Sequence, residues 1–163
     1  MSRILVAGIG NLFKGDDGFG VAVAGRLAGR DLPAGVEVSD FGIRGLDLVY
    51  ALLDGYDAAI LIDSVQRGEP PGTLYVIEPE LPSGDTEPDP LSPHEMDPQK
   101  VLRLACLLGG DCRRVLLVGC EPASFGDEEF GRMELSPPVA AAVEQAAATV
   151  ERLARELIEE EVS

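Results

Sequence analysis

Ile4-Leu5-Val6-Ala7-Gly8-Ile9-Gly10-Asn11, with Gly15-Asp16-Asp17-Gly18-Phe19-Gly20 soon after it, is the stretch on which the fold turns. The unbroken apolar run from Ile4 to Ala7 reads as a strand covered on both faces, because a strand with one wet face would alternate with polar residues. The glycines that follow break it into a tight turn. After Asp16-Asp17-Gly18 the period changes. Phe19, Val23 and Leu27, with Ala22 and Ala24 beside them, recur at spacings of three and four and stop near Gly29, which predicts an amphipathic helix.

The same alternation continues outward. Val36 to Ser39 reads as a strand that ends in Asp40-Phe41-Gly42, and a helix carrying Leu46, Val49 and Leu53 on one face closes at Asp54-Gly55. Ala58 to Ile62 is a third strand, leading into Asp63. Beyond the Pro70-Pro71-Gly72 turn, Thr73 to Ile77 follows too closely for a helical crossover and is expected antiparallel to the rest. A helix over 99–108, a strand over 115–119 and a long C-terminal helix complete the chain. Ser136 suits the N-cap of that last helix and Pro137 its first position, while Val139, Val143, Ala146, Val150, Leu153 and Leu157 keep helical spacing. The order βαβαββαβα predicts a three-layer α/β/α sandwich on a mostly parallel, five-stranded mixed sheet with one antiparallel strand. At 163 residues with no internal repeat or linker, residues 1–163 read as one domain.

Composition narrows the partners. Thirteen Lys and Arg against 29 Asp and Glu give a net charge of −16, which repels phosphate backbones and anionic lipid, so neither nucleic acid nor a membrane is an expected ligand. Cations and basic peptides are attracted. The apolar run at the start is too short to span a bilayer and lacks a cleavage site after it, and a cytoplasmic location is expected. Cys106, Cys112 and Cys120 show no Cys-x-x-Cys spacing and read as reduced thiols. The segment 78–98 differs from the rest: it holds half of the 12 prolines, no Lys or Arg, and the only histidine, His94. A loop of that length in a compact domain is usually functional or disordered.

Open α/β sheets bind ligands where their strands end. Strand one leads to Asp16 and Asp17, strand two to Asp40 and strand three to Asp63, so parallel strands would bring these acids to one rim within reach of His94. Gly8-x-Gly10 invites a dinucleotide reading, but a third glycine is not at the required spacing, and two carboxylates at the helix start repel a pyrophosphate. Carboxylates with one imidazole suit a borderline divalent ion such as nickel or zinc, which would relieve their mutual repulsion. Plainer roles compete. Asp16 fits an N-cap or first-turn acid, Asp40 and Asp63 fit strand terminators turned onto nearby amides, and a lone His in a proline-rich loop fits simple exposure.

Taken together these blocks resemble the nickel-iron hydrogenase maturation endopeptidases. The resemblance rests on Gly8-Ile9-Gly10-Asn11 with Gly15-Asp16-Asp17-Gly18-Phe19-Gly20, and continues through Asp40-Phe41-Gly42-Ile43-Arg44-Gly45, Leu61-Ile62-Asp63-Ser64 and Pro71-Gly72-Thr73. His94 ahead of Met96-Asp97-Pro98, then Gly119-Cys120-Glu121-Pro122 and Leu135-Ser136-Pro137, follow in family order. It implies one hydrogenase-maturation-protease-like domain over 1–163, with a twisted mixed sheet between helices of the phosphorylase/hydrolase-like type. It also implies a cytosolic, monomeric endopeptidase that trims the C-terminal extension of a hydrogenase large-subunit precursor after nickel insertion. The family's metal-contacting residues carry over to Asp17, Asp63 and His94, and members use either Glu or Asp at the first of these positions. The implied nickel is borne by the substrate and not held permanently, and zinc or cadmium would be able to occupy the same groups in vitro. In the hydrolysis that the resemblance implies, a carboxylate such as Asp17 or Asp40 would take the proton. The middle motif usually begins Asp-Gly-Gly, and here Phe41 replaces the first glycine. Two other classes remain: a non-catalytic chaperone holding nickel or the precursor through the same residues, and a small dinucleotide-binding protein.

Overall fold

The computed structural model describes residues 3–11, 15–79, 101, 102, 105, 108, 114–123 and 134–162. His94, Cys106 and Cys112 lie outside them. Strands β1 (Ile4–Ile9), β2 (Val36–Gly42), β3 (Ala58–Ser64), β4 (Leu74–Ile77) and β5 (Arg114–Cys120) form one sheet in the order β2-β1-β3-β5-β4. β1, β2, β3 and β5 run parallel, and β4 pairs antiparallel with β5. The expected three-layer α/β architecture is therefore present, including the reversed strand.

Side-chain alternation explains the layers. In β1, Ile4 and Val6 face one side with Ile60 and Ile62 of β3, against Phe19, Val23 and Leu27 of helix α1 (Phe19–Ala28) and Val139, Val143, Ala146 and Val150 of helix α3 (Pro137–Val162). Leu5, Ala7 and Ile9 face the other side with Ala59 and Leu61, under Leu48, Val49 and Leu52 of helix α2 (Gly45–Leu52). Val101, Leu102 and Ala105, which are helical, join that second core, as the helix read over 99–108 requires. Both central strands are thus covered on two faces, which is why their sequences run apolar without interruption.

One helix face differs from expectation. Leu46, expected in the core with Val49 and Leu53, is 59% exposed, and Leu48 and Leu52 take the buried positions beside Val49. The apolar spacing of 46, 49 and 53 fits a helix as well as that of 48, 49 and 52. Only packing against Phe41, Tyr56 and the odd-numbered residues of β1 selects between them.

At the sheet's amino edge Arg3 fastens β1. Its N–H donates to the Asp57 carboxylate at 2.8 Å and its guanidinium lies 4.4 Å from the Tyr56 ring centroid. Arg30 ties α1 to Glu144 and Glu151 of α3, at 2.7 and 3.1 Å. These partly exposed ion pairs add little stability individually. Among the described residues no helix is long and apolar enough to cross a membrane.

Candidate functional site at the carboxyl edge

The chain leaves β1 toward β2 on one side, while β3 lies on the other, so the carboxyl ends of β1 and β3 flank the point where the strand order reverses. In open α/β sheets the loops diverge at such a point and leave a crevice, the place where ligands bind. Asp17 sits in the single 3-10 turn Gly15–Gly18 between β1 and α1, and Asp63 is the penultimate residue of β3. Parallel pairing at Gly8 with Ile62 sets the two segments side by side.

Glycine makes the approach close. A Cβ on Gly20, in the first turn of α1, would lie 2.1 Å from the Ile62 carbonyl oxygen and 2.3 Å from that of Ile9, so the helix start presses directly on the backbones of β3 and β1. Gly10 has φ +130°, and a Cβ there would meet the Asp17 carbonyl oxygen at 1.8 Å, with Asp63 Oδ1 at 3.7 Å. These glycines are spent on packing the turn into the crevice. Close glycine packing of this kind needs no bound pyrophosphate to account for it.

Asp17 is half-buried and held at both oxygens. The Asn11 N–H donates to Oδ2 at 2.8 Å and the Ser64 hydroxyl to Oδ1 at 3.2 Å. Asp63 is 8% exposed, and its Oδ1 accepts the Ser64 N–H at 2.8 Å. Ser64 thus touches both carboxylates. Asp40 ends up on the same edge, opposite Gly8 in the register, but is exposed, and Arg44 bonds its carbonyl oxygen, not its carboxylate.

Asp16 does something else. It is 1% exposed, and its carboxylate accepts the Ala123 N–H at 2.7 Å, the Ser136 N–H at 2.7 Å and the Ser136 hydroxyl at 2.8 Å. The residue preceding α1 is Gly18, without a side-chain cap, so Asp16 is not the helix cap that its position suggested. It is a clasp joining the β1 loop to the segments after β5 and before α3. Ser136 does open α3, and its carbonyl accepts the Ala140 N–H at 2.8 Å, but its hydroxyl is turned to Asp16.

Sequence reasoning missed Glu121 as an organising residue. It is 4% exposed, and its Oε1 accepts the N–H groups of Arg67 and Glu69, at 2.8 and 3.0 Å, and the Tyr75 hydroxyl at 2.8 Å. Burial pushes this carboxyl up, but the Arg67, Tyr75, Glu69 and Gly68 donors outweigh it and hold it below the ordinary carboxylate range. The loop after Asp63 and Ser64 is shaped by that anchor. A buried acid after a strand was the only available signal, and in sequence it is indistinguishable from an exposed one.

Cys120 is buried, and burial first, then the nearby Asp16 and Glu121 charges, push its thiol up to about 11. It stays protonated at neutral pH and offers no thiolate nucleophile. Among the described residues no three His, Cys, Asp or Glu side chains gather as a metal cluster; the crevice presents two carboxylates, with His94 outside what is described.

A family model described as "Hydrogenase maturation protease" matches residues 21–153. The chain belongs to the hydrogenase maturation protease family. Among its relatives, the hydrogenase expression/formation protein HupD of Rhizobium leguminosarum bv. viciae is 35% identical over 154 residues, covering 94% of this chain and 74% of that protein. HupM of Azotobacter chroococcum is 39% identical over 147 residues, covering 90% and 68%. The hydrogenase maturating endopeptidase HybD from E. coli superposes with a TM-score of 0.78 at 30% identity, over 94% of this chain and 93% of that one. A hydrogenase 2 maturation peptidase from a Thaumarchaeota archaeon gives 0.69 at 33% identity, over 91% and 96%. Family membership makes the chain a protease of hydrogenase maturation.

Proposed function

We propose that this maturation protease removes the C-terminal extension of a nickel-iron hydrogenase large-subunit precursor, and that it recognises nickel already seated in that substrate. The observation that carries the reading is the pairing of Asp17 and Asp63 through Ser64 at the switch point of the sheet. Two hard carboxylate donors on one wall, completed by the His94 imidazole, make a mixed oxygen and nitrogen set for a borderline dication. The metal is part of the substrate. Docking onto Asp17, Asp63 and His94 therefore makes cleavage conditional on metal insertion and sets the scissile peptide beside the carboxyl edge. Hydrolysis adds water across the peptide bond: the attacking water loses a proton as its oxygen bonds the carbonyl carbon, and the leaving amine gains one as the C–N bond breaks. Asp40, exposed at the same edge, is the carboxylate assigned to take the proton. The chain works as a cytoplasmic monomer with one domain over 1–163, and zinc or cadmium occupies the same donors when offered in vitro.

The test is processing of nickel-loaded against nickel-free precursor, with the released tail followed by mass spectrometry. Cleavage of the loaded form alone is expected. Equal cleavage of both would overturn the nickel gate, and tight binding of loaded precursor without tail release would make the chain a chaperone instead.

A further inference from the structure

Two carboxylates facing one crevice repel each other, and each has rotamers that would swing it into water. Something has to hold them as a pair. Asp17 arrives on a glycine-flanked turn and Asp63 on the last turns of a strand, so neither element alone fixes their relation. Ser64 touches both: its N–H donates to Asp63 Oδ1 at 2.8 Å, and its hydroxyl crosses to Asp17 Oδ1 at 3.2 Å. An ionised carboxylate can only accept, so the hydroxyl must be the donor in that contact.

The position supports the job. Ser64 is the last residue of β3 and pairs in register with Cys120 of β5, whose carbonyl oxygen accepts the following Val65 N–H at 3.0 Å. The backbone that carries the hydroxyl is therefore anchored on the β5 side. On the other side the Asn11 N–H holds the second oxygen of Asp17 at 2.8 Å, so the hydroxyl and this amide fix the plane of the carboxylate between them.

We propose that Ser64 is a positioning residue that fixes Asp17 and Asp63 as one unit facing the crevice. The inference rests on the reading of that pair as the docking point for substrate nickel, and gives the pair its geometry. The obvious variant is Ser64→Ala, with Ser64→Thr as the version that keeps the hydroxyl on a strand residue.

Hydrogen exchange of the Asn11 amide, which reads the Asp17 carboxylate directly, is compared in both variants with that of the Gly10 amide. The latter donates to the Gly42 carbonyl at 2.9 Å and reports the backbone turn without Asp17. The expected result is faster Asn11 exchange in Ser64→Ala, with Gly10 unchanged, and restoration in Ser64→Thr. With nickel-loaded precursor, kcat/KM should fall roughly 10- to 100-fold in Ser64→Ala, chiefly through KM because the pair is the docking point, and recover in Ser64→Thr. Unchanged Asn11 exchange in Ser64→Ala would overturn the proposal, as would a Ser64→Thr variant as loose as the alanine. If the wild-type protein leaves the precursor uncut while Asn11 exchange still follows the hydroxyl, the nickel-protease reading fails and the positioning role stands.

Discussion

Asp16 and Asp17 are consecutive, yet their carboxylates reach different partners from the same 3-10 turn. Asp16 is sealed beneath Ala123 and Ser136, and Asp17 faces Ser64 and the crevice. The turn makes this possible because a residue step in so tight a helix rotates the side chain by about a third of a revolution. One acid holds the loop in place so that its neighbour can be presented to a ligand.

The two positions should therefore separate stability from activity. Asp16→Ala removes the acceptor of two backbone N–H groups and a hydroxyl in a part-buried place, at a cost of up to about 3 kcal/mol. For a chain of this size that lowers Tm by roughly 6–12 °C. Asp17→Ala removes two hydrogen bonds at the crevice wall but also relieves repulsion from Asp63, and should change stability by about 1 kcal/mol or less while abolishing precursor processing. Thermal melts and a processing assay on both variants check this. An Asp16 variant as stable as wild type would remove the clasp.

Asp63→Ala and His94→Ala carry the ligand assignment. Each should fold and fail to process nickel-loaded precursor, with the loss in binding of the loaded form and not in Tm. Chelating nickel from the precursor before incubation should produce the same loss with the wild-type protein. Full processing by His94→Ala would leave the substrate metal to the two carboxylates.

How far the sequence disclosed this follows from the residue types. Runs such as Ile4 to Ala7 and Ala58 to Ile62 permit one environment, a strand covered on both faces, and β1 and β3 lie there. The acids at strand ends fall on one edge because parallel strands force their carboxyl ends together, whatever those acids do. What sequence does not encode is which way each side chain turns. Asp16 and Asp17 differ only in depth beneath segments more than a hundred residues away, and Glu121 is set apart from the other acids only by the amides of Arg67 and Glu69 closing over it. Leu46 and Leu48 differ likewise by the angle at which α2 meets Phe41 and Tyr56.

Two glycines of helix α1 should respond in opposite directions to the same substitution. Gly20→Ala drives a methyl to 2.1 Å from the Ile62 carbonyl, backbone that cannot yield without shifting β3, and should cost on the order of 3 kcal/mol and displace Asp17 and Asp63. Gly25 is exposed on the same helix with nothing within 4 Å of an added Cβ. Gly25→Ala should stabilise by about 0.5–1 kcal/mol through helix propensity, with processing unchanged. Denaturant midpoints measure both, and a tolerated Gly20→Ala would contradict the close seating of α1 on the strand ends.

The Tyr75–Glu121 contact makes stability depend on pH at both ends of the scale. Burial, then the hydrogen bond to Glu121, pushes the Tyr75 phenol up to about 12, and burial with the Glu37 contact does the same for Tyr56. A folded pKa above the unfolded value of about 10 means that the native state keeps protons the unfolded chain loses. The corresponding stabilisation is complete below about pH 10 and is lost as pH rises through about 12. For Glu121 the sign reverses. Its folded pKa lies below the ordinary 4.5, so its contribution is present above about pH 4.5 and is lost as pH falls through the folded value. Tyr75→Phe removes one donor from Glu121 and raises its folded pKa toward the ordinary 4.5, so the acid-side loss of stability should be smaller and end at a higher pH than in wild type, while the alkaline loss becomes shallower. Tyr56→Phe should flatten the alkaline limb and leave the Glu121 acid limb in place, because Tyr56 bonds Glu37 at the other end of the sheet. Melting temperature followed from about pH 3 to about pH 12 in the two single variants and the double variant checks each sign. An alkaline limb as steep in the double variant as in wild type would show that the phenols are not its source.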